Sequence, residues 1–90
     1  MIDDFRWNDW NLDHATKHGV TVGEIESVVR NAKPPWPEYR GDDKWLVMGR
    51  DSGGRLLQVI YLVSPAPYAF VIHARPLTDK EKKVFHRRSR

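Results

Sequence analysis

The sequence predicts an α+β fold. It is a single small domain, with an antiparallel sheet of three to four strands, two N-terminal helices and one C-terminal helix. Three observations carry this expectation. Ninety residues support one hydrophobic core. Three strand-like runs follow one another from Lys44 to Arg75, joined by turns short enough for a meander. Helix capping signals stand both before and after those runs.

Each element has a local cause. Asp4-Phe5-Arg6-Trp7 alternates polar and apolar residues, as an edge strand does. Asn8 then reads as an N-cap, with Trp7 and Leu12 at staple positions. This helix is expected to run through Lys17-His18 and stop at Gly19, where a left-handed cap costs little. Thr21-Val22-Gly23-Glu24 is a capping box with Val20 and Ile25 as its staple. Ile25, Val28 and Val29 form the apolar stripe of the second helix. Pro34 and Pro35 end it, since proline donates no N–H and restricts its predecessor. Pro34 to Asp43 reads as a loop in which Trp36 either folds onto the core or forms a docking surface.

The strands are expected at Lys44 to Asp51, Arg55 to Val63 and Tyr68 to Arg75. The second is apolar on both faces, which marks a central strand. Ser52-Gly53-Gly54 and Ser64-Pro65-Ala66-Pro67 supply the turns. Thr78-Asp79-Lys80-Glu81 opens a final helix through about Arg88.

Composition narrows the function. Hydrophobic residues make up 40% and charged residues 30%, the balance of a globular chain. The absence of cysteine removes disulfide scaffolds, thiolate metal sites and cysteine nucleophiles, and fits a reducing cytoplasm. The start Met1-Ile2-Asp3-Asp4 has neither a basic nor an apolar leader region, so no signal peptide is expected. Leu56 to Val63, the longest apolar run, is too short to span a bilayer. The net charge of +3 conceals an uneven distribution. Residues 1–43 carry nine acids and five Lys/Arg, whereas residues 44–90 carry three acids and ten Lys/Arg. Such asymmetry suits a polyanionic partner, most simply nucleic acid, or else a solvated basic helix.

Four histidines are available for chemistry. His14 and His18 have the i, i+4 spacing that zinc uses, but no further ligand is nominated, and such a pair is more often a polar helix face. His73 and Arg75 are two apart in one strand and so are expected on one face, shared with Ala69 and Val71. Arg50 and Arg55 flank one turn, and His86 lies on the final helix. Convergence of these groups would make a phosphate site. RNA cleavage through the 2′-hydroxyl needs a base, an acid and cations at the pentacoordinate centre. Histidine, arginine and lysine supply all of them, so no metal or cofactor is required.

The sequence resembles the BrnT-type toxins, ribonucleases of type II toxin–antitoxin modules with a RelE-like fold. The resemblance spans nearly the whole chain. It rests on Phe5-Arg6-Trp7 with Asp9-Trp10-Asn11, Lys17-His18-Gly19-Val20-Thr21, Met48-Gly49-Arg50, Gly54-Arg55-Leu56, and Val71-Ile72-His73-Ala74-Arg75 with Thr78 and Glu81. It implies a cytoplasmic, metal-independent endoribonuclease acting on mRNA, free or on the ribosome, and neutralised by an antitoxin of ribbon-helix-helix type. Arg50, Arg55 and Arg75 match the family's basic strand positions, Lys82 and Lys83 its basic final helix, and His18 its Lys-His-Gly turn. Expected catalytic residues are therefore Arg75, Arg50, His73 and His86, with Arg55, Lys82, Lys83, Arg87 and His18 holding flanking RNA. Phe85 stands where members commonly carry tyrosine. That departure leaves open a non-catalytic RNA-binding or protein-interaction module.

Overall fold

The computed structural model describes residues 2–89. Met1 and Arg90, which entered only the leader and charge readings, lie outside them. The element order is β1 (Asp4–Phe5), α1 (Asp9–Thr16), α2 (Val22–Arg30), β2 (Glu38–Tyr39), β3 (Lys44–Arg50), β4 (Leu56–Val63), β5 (Tyr68–Pro76) and α3 (Asp79–Arg88). The α+β class and the three helices are as expected, but the sheet differs. It has five strands in the order β1-β5-β4-β3-β2, and it is mixed rather than antiparallel. Strand β1 runs parallel to β5, with Asp4 opposite Tyr68 and Phe5 opposite Ala69. Strand β2 arises within the segment expected to be a loop and extends the β3 edge. Strands β3, β4 and β5 form the expected meander, with β4 central.

All three helices start at real capping boxes. Asn8 caps α1 with Asn11 reaching back, Thr21 caps α2 with Glu24, and Thr78 caps α3 with Glu81. Gly19 takes φ +78 after α1, which ends at Thr16, two residues earlier than expected. Val20 and Ile25 are buried as a staple pair, whereas Leu12 stays exposed. Trp7 turns instead to α2, donating its indole N–H to Glu26 Oε2 at 2.8 Å.

Asn11 is fully buried. Its Oδ1 accepts from the Asn8 backbone N–H at 2.7 Å, and its Nδ2 donates to Arg6 O at 3.0 Å. Truncation would strip both backbone groups of partly buried hydrogen bonds and leave a void at a fully buried position. Asn11→Ala is expected to cost about 2 kcal/mol of unfolding free energy in urea melts.

The register assigns the two faces of the sheet. Val47 pairs with Val59 and Val59 with Ala74, and all three are fully buried. Gly49 lies on the same face beneath α2, where Val28 is its nearest neighbour. Leu46, Met48, Arg50, Leu56, Gln58 and Ile60 alternate onto the other face. Trp36 and Phe85 stack at 5.2 Å and, with Met48, wall one cavity, so the Pro34–Pro37 loop and α3 cover part of that second face. Trp36 is therefore a core residue, 5% exposed, rather than a free docking ring. Arg88 pairs with Glu38 and lies 5.3 Å over the Trp36 ring, tying the end of α3 to β2. That ion pair, chiefly through its hydrogen bond, holds the Glu38 carboxyl below the usual range.

Candidate functional site

A β-bulge reorders the residues expected to act together. Tyr61 pairs with Val71, but Ile60 pairs with His73, so Ile72 is an extra residue in β5. Ile60 and Tyr61 face opposite sides of the sheet. His73 and Arg75 therefore lie on the face opposite Val71 and Ala69, not on the shared face that simple alternation predicts.

The nine nominated residues fall into four groups. Arg50, Arg55, Lys82 and His86 line one recess of about 400 Å³, between the β3–β4 turn and α3. Gly54, Leu56, Pro76 and Leu77 complete its wall. Arg75 belongs to a neighbouring groove with Gln58, Ile60 and Glu81. His73 meets His18, with ring centroids 5.8 Å apart. Lys83 and Arg87 are exposed on α3 and line neither hollow. His73 and Pro76 are three strand residues apart, about 10 Å along β5. The expected convergence of His73, Arg75, Arg50 and His86 around one anion is thus not what the fold builds.

Within the recess the cations differ in freedom. Arg50 is exposed and donates Nη1 to Gly54 O at 2.9 Å. Among the described residues it has no acidic partner within ion-pair distance. Lys82 stands 3.8 Å from Asp79, an exposed pair of little consequence. Arg55 is more constrained. It lies 3.2 Å from Glu24 and 3.6 Å from Asp51, and donates to Gly19 O at 3.3 Å. It ties the β3–β4 turn to the start of α2, and its charge is largely offset there.

Asp51, 6% exposed, shapes that turn. Its Oδ1 accepts from the Gly53 and Arg55 backbone N–H groups, each at 2.9 Å. Burial acts to raise its pKa, but these two N–H donors and the Arg55 guanidinium outweigh burial and hold it below the ordinary value.

Arg75 has both arms of its fork occupied. Nη1 and Nη2 each lie 2.7 Å from a Glu81 oxygen, a bidentate pair. Glu81 also accepts the Thr78 N–H at 2.8 Å, so a single carboxylate both closes the α3 cap and clamps β5. The Arg75 hydrogen bond is the main reason that its pKa is lowered to about 2. A group shifted this way stabilises the fold fully above its unfolded pKa of 4.5 and loses the effect as pH falls towards 2. Thermal melts between pH 5 and 2 are expected to show up to about 3 kcal/mol of this loss, and Glu81→Gln is expected to flatten that dependence.

His73 is half-buried. Desolvation lowers its pKa first, and the nearby Arg75, His18 and Lys17 charges lower it further. Both effects favour the neutral ring. His14 does not join His18. It stacks on Trp10 at 4.0 Å, and its Nδ1 lies 2.7 Å from Trp10 O. Among the described residues no three His, Asp or Glu side chains gather as a metal site.

Sequence spacing did not single out the apolar wall of the recess, Leu56 and Leu77, because strand pairing and the turn into α3 create it. The protein is thus a small α+β domain with a basic recess at one end of its sheet. No helix is long and apolar enough to cross a membrane. Comparisons with protein-family models, curated proteins and solved structures find no match for this chain.

Proposed function

We propose that the protein is a metal-independent endoribonuclease toxin of a type II toxin–antitoxin module, with a RelE-like arrangement and an RNA phosphate seated in the Arg50 recess. The observation that carries this reading is the shared recess of Arg50, Lys82 and His86. Arg50 presents a fork suited to phosphate oxygens, and Lys82 adds a point charge. His86 is the group placed to exchange a proton with the 2′-hydroxyl or the leaving oxygen. Arg55 positions the turn that carries Arg50. Lys83 and Arg87 extend the basic surface along α3 for flanking RNA, and His18 with His73 marks a second point along β5. The partners are mRNA, free or on the ribosome, in the cytoplasm, and an antitoxin of ribbon-helix-helix type.

A second reading, non-catalytic RNA binding, is favoured by one specific feature. Phe85 has no hydroxyl, and His73 stands about 10 Å along β5 from the recess, so His86 alone supplies proton transfer there. Expression without antitoxin separates the readings. An endoribonuclease arrests growth, and the purified protein cuts RNA in EDTA. His86→Ala is expected to reduce cleavage about 10²-fold or more while RNA affinity changes little. Salt-sensitive RNA binding without cleavage selects the second reading.

A further inference from the structure

We propose that the cavity beside Arg50 is a nucleobase subsite, holding the base adjacent to the phosphate in the recess; this rests on the RNA reading above. The cavity, about 300 Å³, lies between the end of α2, the Pro34–Pro37 loop, β3 and α3. That volume is at the small end for ligand pockets and suits one ring system. Met48 and the Trp36–Phe85 pair, whose planes differ by 19°, give it apolar walls. Asn31, Lys33 and Arg50 add polar groups. A base has apolar faces and a hydrogen-bonding edge, and this lining answers both.

Arg50 lines the cavity and the recess alike. A strand whose phosphate meets Arg50 therefore brings its neighbouring base to the cavity. One polar atom is suited to read that base. Asn31 donates its amide nitrogen to Ser27 O at 2.9 Å, which leaves the amide oxygen as an acceptor. Trp36 Nε1 is buried and has no hydrogen-bond partner among the described residues. Such an orphaned donor is uncommon in a folded interior. Closed to solvent, it belongs to the wall of the cavity and does not itself reach a bound base.

The test is an NMR titration of the intact protein with inorganic phosphate and, separately, with uridine 3′-monophosphate. The nucleotide is expected to bind about tenfold more tightly than phosphate and to shift the Trp36 indole N–H resonance. Asn31→Ala is expected to reduce that advantage without changing phosphate affinity, and Arg50→Ala to weaken both ligands. Equal affinities with no Trp36 shift, while Arg50→Ala still weakens both, would overturn the base subsite and leave the RNA-phosphate reading intact. Failure of either ligand to bind, together with failure to bind RNA, would overturn both.

Discussion

Replacing Arg50 by alanine is expected to lower RNA cleavage by about 10²–10³-fold, the loss typical of removing one preorganised donor from developing negative charge. The fold should tolerate the change. Arg50 is exposed at the end of β3, and its guanidinium donates to Gly54 O. Stability is expected to shift by no more than about 0.5 kcal/mol, as for most surface substitutions. RNA affinity should fall as well, with the salt dependence of binding reduced by about one phosphate contact. Arg50→Lys keeps the charge but loses the fork, so its cleavage rate should lie between those of wild type and Arg50→Ala. Single-turnover cleavage and salt-dependent binding isotherms check these outcomes.

The largest stability effect is expected at Leu57. This side chain is fully buried in β4, between Gly49 on β3 and Pro76 on β5. Leu57→Ala removes apolar contacts and leaves a cavity that the surrounding sheet cannot fully close, at a cost of about 2–5 kcal/mol. A domain of this size has only about 5–15 kcal/mol in total. The melting temperature should drop by about 10–30 °C, read by circular dichroism. Arg50→Ala and Leu57→Ala thus separate loss of chemistry from loss of fold.

Local chemistry made much of the fold legible. Asn8, Thr21 and Thr78 cap their helices because short polar side chains meet orphan N–H groups within three residues. The doubly apolar run at Leu56–Val63 marks the middle of the sheet. Features that depend on distant partners were not legible. Strand β1 was expected from its alternation, but its parallel pairing was not, because it has two paired residues and its neighbour β5 comes more than sixty residues later. Strand β2 is equally short and follows a proline-rich stretch.

The site followed the same division. Arg50 and His86 share a recess because β3 ends where α3 passes, the part of the expected convergence that the fold does build. His73 was assigned to the wrong face because the extra residue in β5 reverses the alternation, and Val71-Ile72-His73 carries no local sign of a bulge. Glu81 was legible as a capping residue. Its simultaneous grip on Arg75 depends on how the chain turns between β5 and α3, which spacing alone does not specify.

The most direct measurement is the cleavage of a defined RNA in EDTA, with the product ends identified by mass spectrometry. Attack by the 2′-hydroxyl leaves a 2′,3′-cyclic phosphate, so that end is expected from the wild-type protein. Replacing the 2′-hydroxyl at the cut by hydrogen should abolish cleavage there, and His86→Ala should suppress it at every site. An intact RNA after incubation with folded protein, with or without ribosomes, would contradict the enzymatic reading. RNA affinity indifferent to Arg50→Ala would further contradict the recess as its phosphate site.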